Sequence, residues 1–87
     1  MNNDKFNIFV KTIEGKTKVF EVAPLDTIEE LKRKISEVEG IPTETQRLIY
    51  QGKELLDTKT INEYEIGRDA TIQVIYRLKG GKVETGF

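Results

Sequence analysis

The chain contains no cysteine, no histidine and no tryptophan, and only two of its 87 residues are proline. Without cysteine there is neither a disulfide nor a thiol nucleophile, an absence that fits a reducing compartment. Without histidine the usual nucleophile–base pair has no base, and a zinc cluster loses both of its common ligand types. Carboxylates are plentiful, but they fall on strand edges, helix turns and loops and read as solvated surface charge. The glycines are scattered and form no phosphate-cradling loop. The chain is therefore not expected to be an enzyme or to hold a metal or cofactor. No apolar run approaches the roughly 20 residues that span a bilayer. Lys and Arg total 14 against 15 Asp and Glu, a net charge of −1, which offers no electrostatic footprint for nucleic acid or a membrane surface. Met1-Asn2-Asn3-Asp4-Lys5 has no hydrophobic stretch behind a basic region and does not read as a signal peptide. One small monomeric domain is expected, in the cytoplasm and nucleus.

What is present is periodic. Phe6, Ile8 and Val10 alternate with Asn7, Phe9 and Lys11, the signature of a half-buried strand. After Ile13-Glu14-Gly15 the alternation resumes over 16–22, with Phe20 and Val22 on one face, so the two runs form a hairpin. Pro24 marks a change of pattern. Asp26-Thr27 offers an N-cap and Glu29-Glu30 places acid in the first helical turn. Ile28, Leu31, Ile35 and Val38 then make one apolar stripe, with Glu29–Arg33 and Glu30–Lys34 as i,i+4 pairs on the solvent side. Gly40 and Pro42 end the helix. Residues 46–50 read as a strand turning at Gln51-Gly52, with a short partner strand over Lys53–Leu56. Residues 57–69 are polar, and one helical turn would bury Ile61, Tyr64 and Ile66. Thr71–Leu78 is the last strand. The order is strand, strand, helix, strand, short strand, strand: an α+β domain in which one amphipathic helix covers one face of a mixed sheet.

Two features carry functional weight. Strand parity turns Leu48 inward and Ile49 outward, sets Ile75 outward beside Gln73, and leaves Ile13 exposed in the hairpin loop. Exposed aliphatics taken singly mean nothing, whereas three converging would make a binding patch. The second feature is Arg77-Leu78-Lys79-Gly80-Gly81, basic and ending in two residues without side chains. It reads either as a linker or as a peptide threaded into a slot too narrow for any Cβ.

Residues 6–81 resemble ubiquitin and its family. The resemblance rests on Ile8-Phe9-Val10-Lys11-Thr12, Gly15-Lys16-Thr17, Asp26-Thr27-Ile28-Glu29, Glu39-Gly40-Ile41-Pro42, Gln46-Arg47-Leu48-Ile49, Gly52-Lys53, Asp57, Tyr64, Arg77-Leu78 and Gly80-Gly81. It implies the β-grasp fold over residues 6–78, preceded by a 1–5 extension and followed by a flexible 79–87 tail. It also implies a protein modifier, with ubiquitin-activating, conjugating and ligating enzymes, a processing protease and ubiquitin-binding domains as partners. Carried over, Ile13, Ile49 and Ile75 correspond to the family's recognition patch, flanked by Arg47 and by Gln73, which stands where ubiquitin has His. Ile41, Tyr76 and Leu78 correspond to a second apolar patch, and Arg77 to a basic residue by which members are told apart. Lys11, Lys16, Lys32, Lys34 and Lys53 stand at acceptor positions. Lys18 departs by replacing an apolar residue, and Val38 and Arg68 by replacing lysines. Two functions remain open: a modifier cut after Gly81 and joined to substrate lysines, or a non-conjugated docking domain of a larger protein.

Overall fold

The computed structural model describes residues 5–76. The elements are β1 (Phe6–Lys11), β2 (Thr17–Val22), α1 (Ile28–Glu39), a 3₁₀ turn at Thr43–Thr45, β3 (Gln46–Tyr50), β4 (Lys53–Glu54), a second 3₁₀ turn at Asn62–Tyr64, and β5 (Thr71–Tyr76). The strands form one sheet in the order β2-β1-β5-β3-β4. Among the described residues the β1–β5 pairing alone is parallel; β1–β2, β3–β4 and β3–β5 are antiparallel. With α1 against one face, this is the β-grasp arrangement.

The alternation decides which face meets the helix. Ile8, Val10, Phe20, Val22, Leu48, Ile72 and Val74 point inward and join Ile28, Leu31 and Ile35 of α1 in one buried core. Leu55, Ile61 and Ile66 close it from the irregular segment. Tyr64 is only half-buried, and its hydroxyl accepts a hydrogen bond from the Leu56 amide at 2.9 Å. The short strand stops at Glu54, earlier than the alternation suggested. Leu55 continues the pairing through its amide to the Leu48 carbonyl (2.8 Å) and buries its side chain, while Leu56 is exposed.

The helix begins where a capping box can form. Thr27 Oγ1 accepts from the Glu30 amide (3.1 Å) and the Glu30 carboxylate accepts from the Thr27 amide (2.9 Å), satisfying two otherwise orphaned donors. It ends at Gly40, whose φ of 75° closes a hydrogen bond to the Ser36 carbonyl. Two details differ from the sequence reading. Glu30 is engaged in the cap and does not pair with Lys34, which instead donates to the Glu21 carbonyl (2.8 Å) and lies 3.8 Å from Asp26. Val38 is exposed. Ten residues at about 100° each leave it about 80° from Ile28, whereas the eleventh step returns Glu39 to the inner stripe. The Glu39 carboxylate is therefore drawn in at the helix C-terminus, where the dipole disfavours acid. Lys18, opposite Val10 at the margin of β2, answers it at 3.4 Å.

Truncating Leu48 to Ala should cost about 2–5 kcal/mol, since the side chain is fully buried. Val38→Ala should stay within about 0.5 kcal/mol. Urea denaturation midpoints of the two variants check the contrast.

Candidate functional site

The parity that fills the core leaves Phe9, Lys11, Arg47, Ile49, Gln73 and Ile75 on the opposite face of the sheet. The β3–β5 register sets Ile49 directly across from Gln73 and Arg47 across from Ile75. Ile49 and Ile75 are thus diagonal neighbours on one face, roughly 7–8 Å apart. Lys11 flanks Gln73 from the other side, through the parallel β1–β5 register. Ile75 is 43% exposed and Ile49 is half-buried. Arg47 reaches toward Glu54 across the β3–β4 turn, 3.8 Å away.

Ile13 arrives by a different route. It lies two residues beyond Lys11 in the loop between β1 and β2, as Ile75 lies two beyond Gln73. The loop is held by Thr12 N–H to the Lys16 carbonyl (2.8 Å), Gly15 N–H to the Thr12 carbonyl (3.0 Å) and Lys16 N–H to Thr12 Oγ1 (3.2 Å). Gly15 adopts φ 88°, a left-handed conformation that a side chain would strain. Across from the loop, the Tyr76 hydroxyl donates to Glu14 Oε2 at 3.0 Å. The loop is thereby fastened to the end of β5, and Ile13, 60% exposed, stands at the same end of the sheet as Ile75.

A family model described as the ubiquitin family matches residues 8–79. The chain belongs to the ubiquitin family. It is 39% identical over 74 residues to ubiquitin-like protein NEDD8 of Dictyostelium discoideum, a match covering 85% of this chain and 96% of that protein. NEDD8-like protein RUB3 of Arabidopsis thaliana is 40% identical over 74 residues, again 85% of this chain and 95% of the relative. A different kind of relative is AN1-type zinc finger protein 4 of Mus musculus, 32% identical over 82 residues that make up 94% of this chain but 11% of that protein.

The remaining positions expected from the ubiquitin family sort by burial. Ile41 is not presented as a second surface patch. It joins the core at 8% exposure, with its carbonyl accepting from the buried Gln46 Nε2 at 3.0 Å. Tyr76 is half-buried, with its hydroxyl on Glu14. Arg77, Leu78, Gly80 and Gly81 lie outside the described residues. Lys11, Lys16 and Lys53 are exposed, Lys53 just after the turn at Gln51 (φ 52°) and Gly52 (φ 80°). Lys34 is engaged with Glu21 and Asp26. Lys32 differs from the others: it is buried, and its ammonium lies 2.6 Å from Asp57 Oδ1.

Sequence reasoning missed three participants at the loop end. Glu14, Glu39 and Lys18 converge there with Tyr76 from four different elements. Burial raises the Tyr76 phenol above its ordinary pKa of 10.0; its hydrogen bond to Glu14 and the charges of Glu14 and Glu39 add to the effect. Helical arithmetic alone would have placed Glu39 inward; nothing in the sequence signals the contact between Glu14 and Tyr76. Sequence reasoning also passed over Val19, 57% exposed and directly opposite Phe9 on the outer face.

Lysine reactivity should follow this sorting. Under limiting amine acylation read by peptide mass spectrometry, Lys53, Lys11 and Lys16 should label at least tenfold faster than Lys32. Asp57→Asn should raise the Lys32 rate by removing the carboxylate that holds its ammonium.

Proposed function

We propose that this ubiquitin-family chain is a conjugable modifier, cut after Gly81 and joined through that glycine to substrate lysines in the cytoplasm and nucleus. The observation that carries the reading is the near end-to-end match to NEDD8-type relatives, 95–96% of their lengths, in a chain that keeps Arg77-Leu78-Lys79-Gly80-Gly81. Cleavage of the Gly81–Lys82 bond supplies a free carboxylate. ATP converts it to an acyl adenylate with loss of pyrophosphate. An activating-enzyme cysteine thiolate displaces AMP to form a thioester, and a substrate lysine amine later displaces the thiolate. The chain itself contributes no catalytic group. It contributes a tail that fits a slot closed to any Cβ and a face, centred on Ile49, by which enzymes and ubiquitin-binding domains take hold. Lys53 is the proposed acceptor for further units. Arg68 cannot serve, because a guanidinium stays protonated.

The second reading is a docking domain within a larger protein. It is favoured by the mouse relative, of which the matched stretch is 11%. It uses the same face and needs no cleavage.

Two experiments separate the readings. A 1–81 form incubated with activating and conjugating enzymes plus ATP should give a reductant-sensitive thioester, and the 1–87 form should give none. Failure of the 1–81 form would remove the modifier reading. Gly81→Ala in the 1–87 form should slow cutting by a ubiquitin C-terminal hydrolase by orders of magnitude with no change in Tm, read by intact mass. The shared face is tested by Ile49→Ala, expected to weaken binding to a ubiquitin-binding helical domain about 30-fold, the loss typical of a central anchor worth ~2 kcal/mol. An unchanged Kd measured by calorimetry would show that the face is not used.

A further inference from the structure

We propose that the hydrogen bond from Tyr76 to Glu14 is a latch. It clamps the β1–β2 loop to the end of β5, and so makes Tyr76 and Glu14 the positioning residues that decide which partners the Ile13/Ile49/Ile75 face accepts. The proposal rests on the reading of that face as a recognition surface.

Ile49 and Ile75 sit on paired strands, and the ladder of β3 and β5 fixes their separation. Ile13 has no such constraint. Its loop is closed by three short-range bonds that set its shape but not its angle to the sheet. The described contact that sets that angle joins residues 62 apart in sequence, Tyr76 Oη to Glu14 Oε2 at 3.0 Å. With the latch closed, the loop that carries Ile13 is held at the end of the sheet where Ile75 lies. With it open, the loop can swing and the face loses one of its three members. A partner that reads all three residues therefore selects the latched form, and one that needs the loop displaced must first break the bond. Preorganisation of this kind acts on affinity without adding a contact.

The surroundings keep the latch closed near neutral pH. The phenol faces Glu14 on the loop and Glu39 at the end of α1, while Lys18 of β2 lies 3.4 Å from Glu39. That Glu39 oxygen is buried and makes no hydrogen bond, so Lys18 compensates its charge without tying it down. Burial, and after it the Glu14 hydrogen bond and the charges of Glu14 and Glu39, oppose ionisation of the phenol, so the hydroxyl stays a donor. The bond is therefore intact below the ordinary tyrosine range and is lost as pH rises through the raised value. Tyr76 is also the residue that leads into Arg77 and the Gly80-Gly81 tail, so the latch sits where the recognition loop and the root of the tail meet.

Three variants of the full chain test this: Tyr76→Phe, which keeps the ring and removes the donor; Glu14→Gln, which keeps an acceptor but removes the charge; and Ile49→Ala. Tyr76→Phe should speed amide hydrogen exchange at Gly15 and Lys16 about fivefold, the factor expected for one hydrogen bond, and leave Leu48 and Ile72 protected. It should also weaken binding to a ubiquitin-binding helical domain about threefold or more, by calorimetry. Glu14→Gln should affect both readouts less, and should lower the Tyr76 phenol midpoint in an absorbance titration in which Tyr76→Phe identifies the component. Unchanged loop exchange in Tyr76→Phe overturns the latch. Faster exchange with an unchanged Kd, where Ile49→Ala does weaken binding, overturns its role in partner choice. If Ile49→Ala also leaves the Kd unchanged, the recognition reading falls, and the latch stands or falls on exchange and titration alone.

Discussion

β5 lies between β1 and β3 in the middle of the sheet, and everything else depends on its insertion there. It pairs with β1 in parallel through Phe9–Thr71, Val10–Ile72 and Lys11–Gln73, and with β3 in antiparallel from Gln46–Tyr76 to Ile49–Gln73. Two pairs of strands that could otherwise stand apart, β1–β2 and β3–β4, become one surface only through this strand. Parallel pairing requires a long connection, and here the chain between β1 and β5 carries β2, α1, β3, β4 and both 3₁₀ turns. The inward residues of β5, Ile72 and Val74, are fully buried. Loss of β5 would therefore open the core along its length as well as divide the sheet.

The outer face is a consequence of the same insertion. Residues distant in sequence become neighbours on it because β5 supplies the column between β1 and β3. Ile49 meets Gln73 and Ile75 by antiparallel register, and Lys11 meets Gln73 by parallel register. A one-residue slip of β5 would exchange Ile72 and Val74 for Gln73 and Ile75. The cost of burying Gln73 makes the register unambiguous, so the pressure that orders the core also orders the face.

Polar groups finish the ends of the domain. The capping box of Thr27 and Glu30 starts the helix. Lys32 reaches Asp57 and Gln46 Nε2 reaches the Lys32 and Ile41 carbonyls, joining α1 to the segment that follows it. At the opposite end of the helix, Lys18, Glu39, Glu14 and Tyr76 connect β2, α1, the hairpin loop and β5. Lys18, which reads as an oddity on an otherwise alternating strand, has its reason in Glu39: a carboxylate drawn inward at a helix C-terminus calls for a cation nearby.

The sequence carries the local structure on its face. Period-two alternation marked β1, β2, β3 and β5, and Thr27, Glu30 and Gly40 marked both ends of α1, because strand pleat and helix capping are properties of a few adjacent residues. It also determined the family, through matched residues spread along the chain, and the outward parity of Ile49 and Ile75. What it left open was whatever depends on partners far along the chain. An apolar stripe read by residue type stopped one step short, at Val38, where helical arithmetic turns Glu39 inward. Ile41 looked like surface until the core and the Gln46 amide closed over it. Lys32 looked like any other lysine until Asp57, brought close by the packing of α1, captured its ammonium. The placing of the Ile13 loop at the same end of the sheet as Ile75, and the bond between Glu14 and Tyr76, depend on tertiary structure. They depend on the position of β5 beside β1, which is set by the burial of Ile72 and Val74 against residues more than twenty positions away.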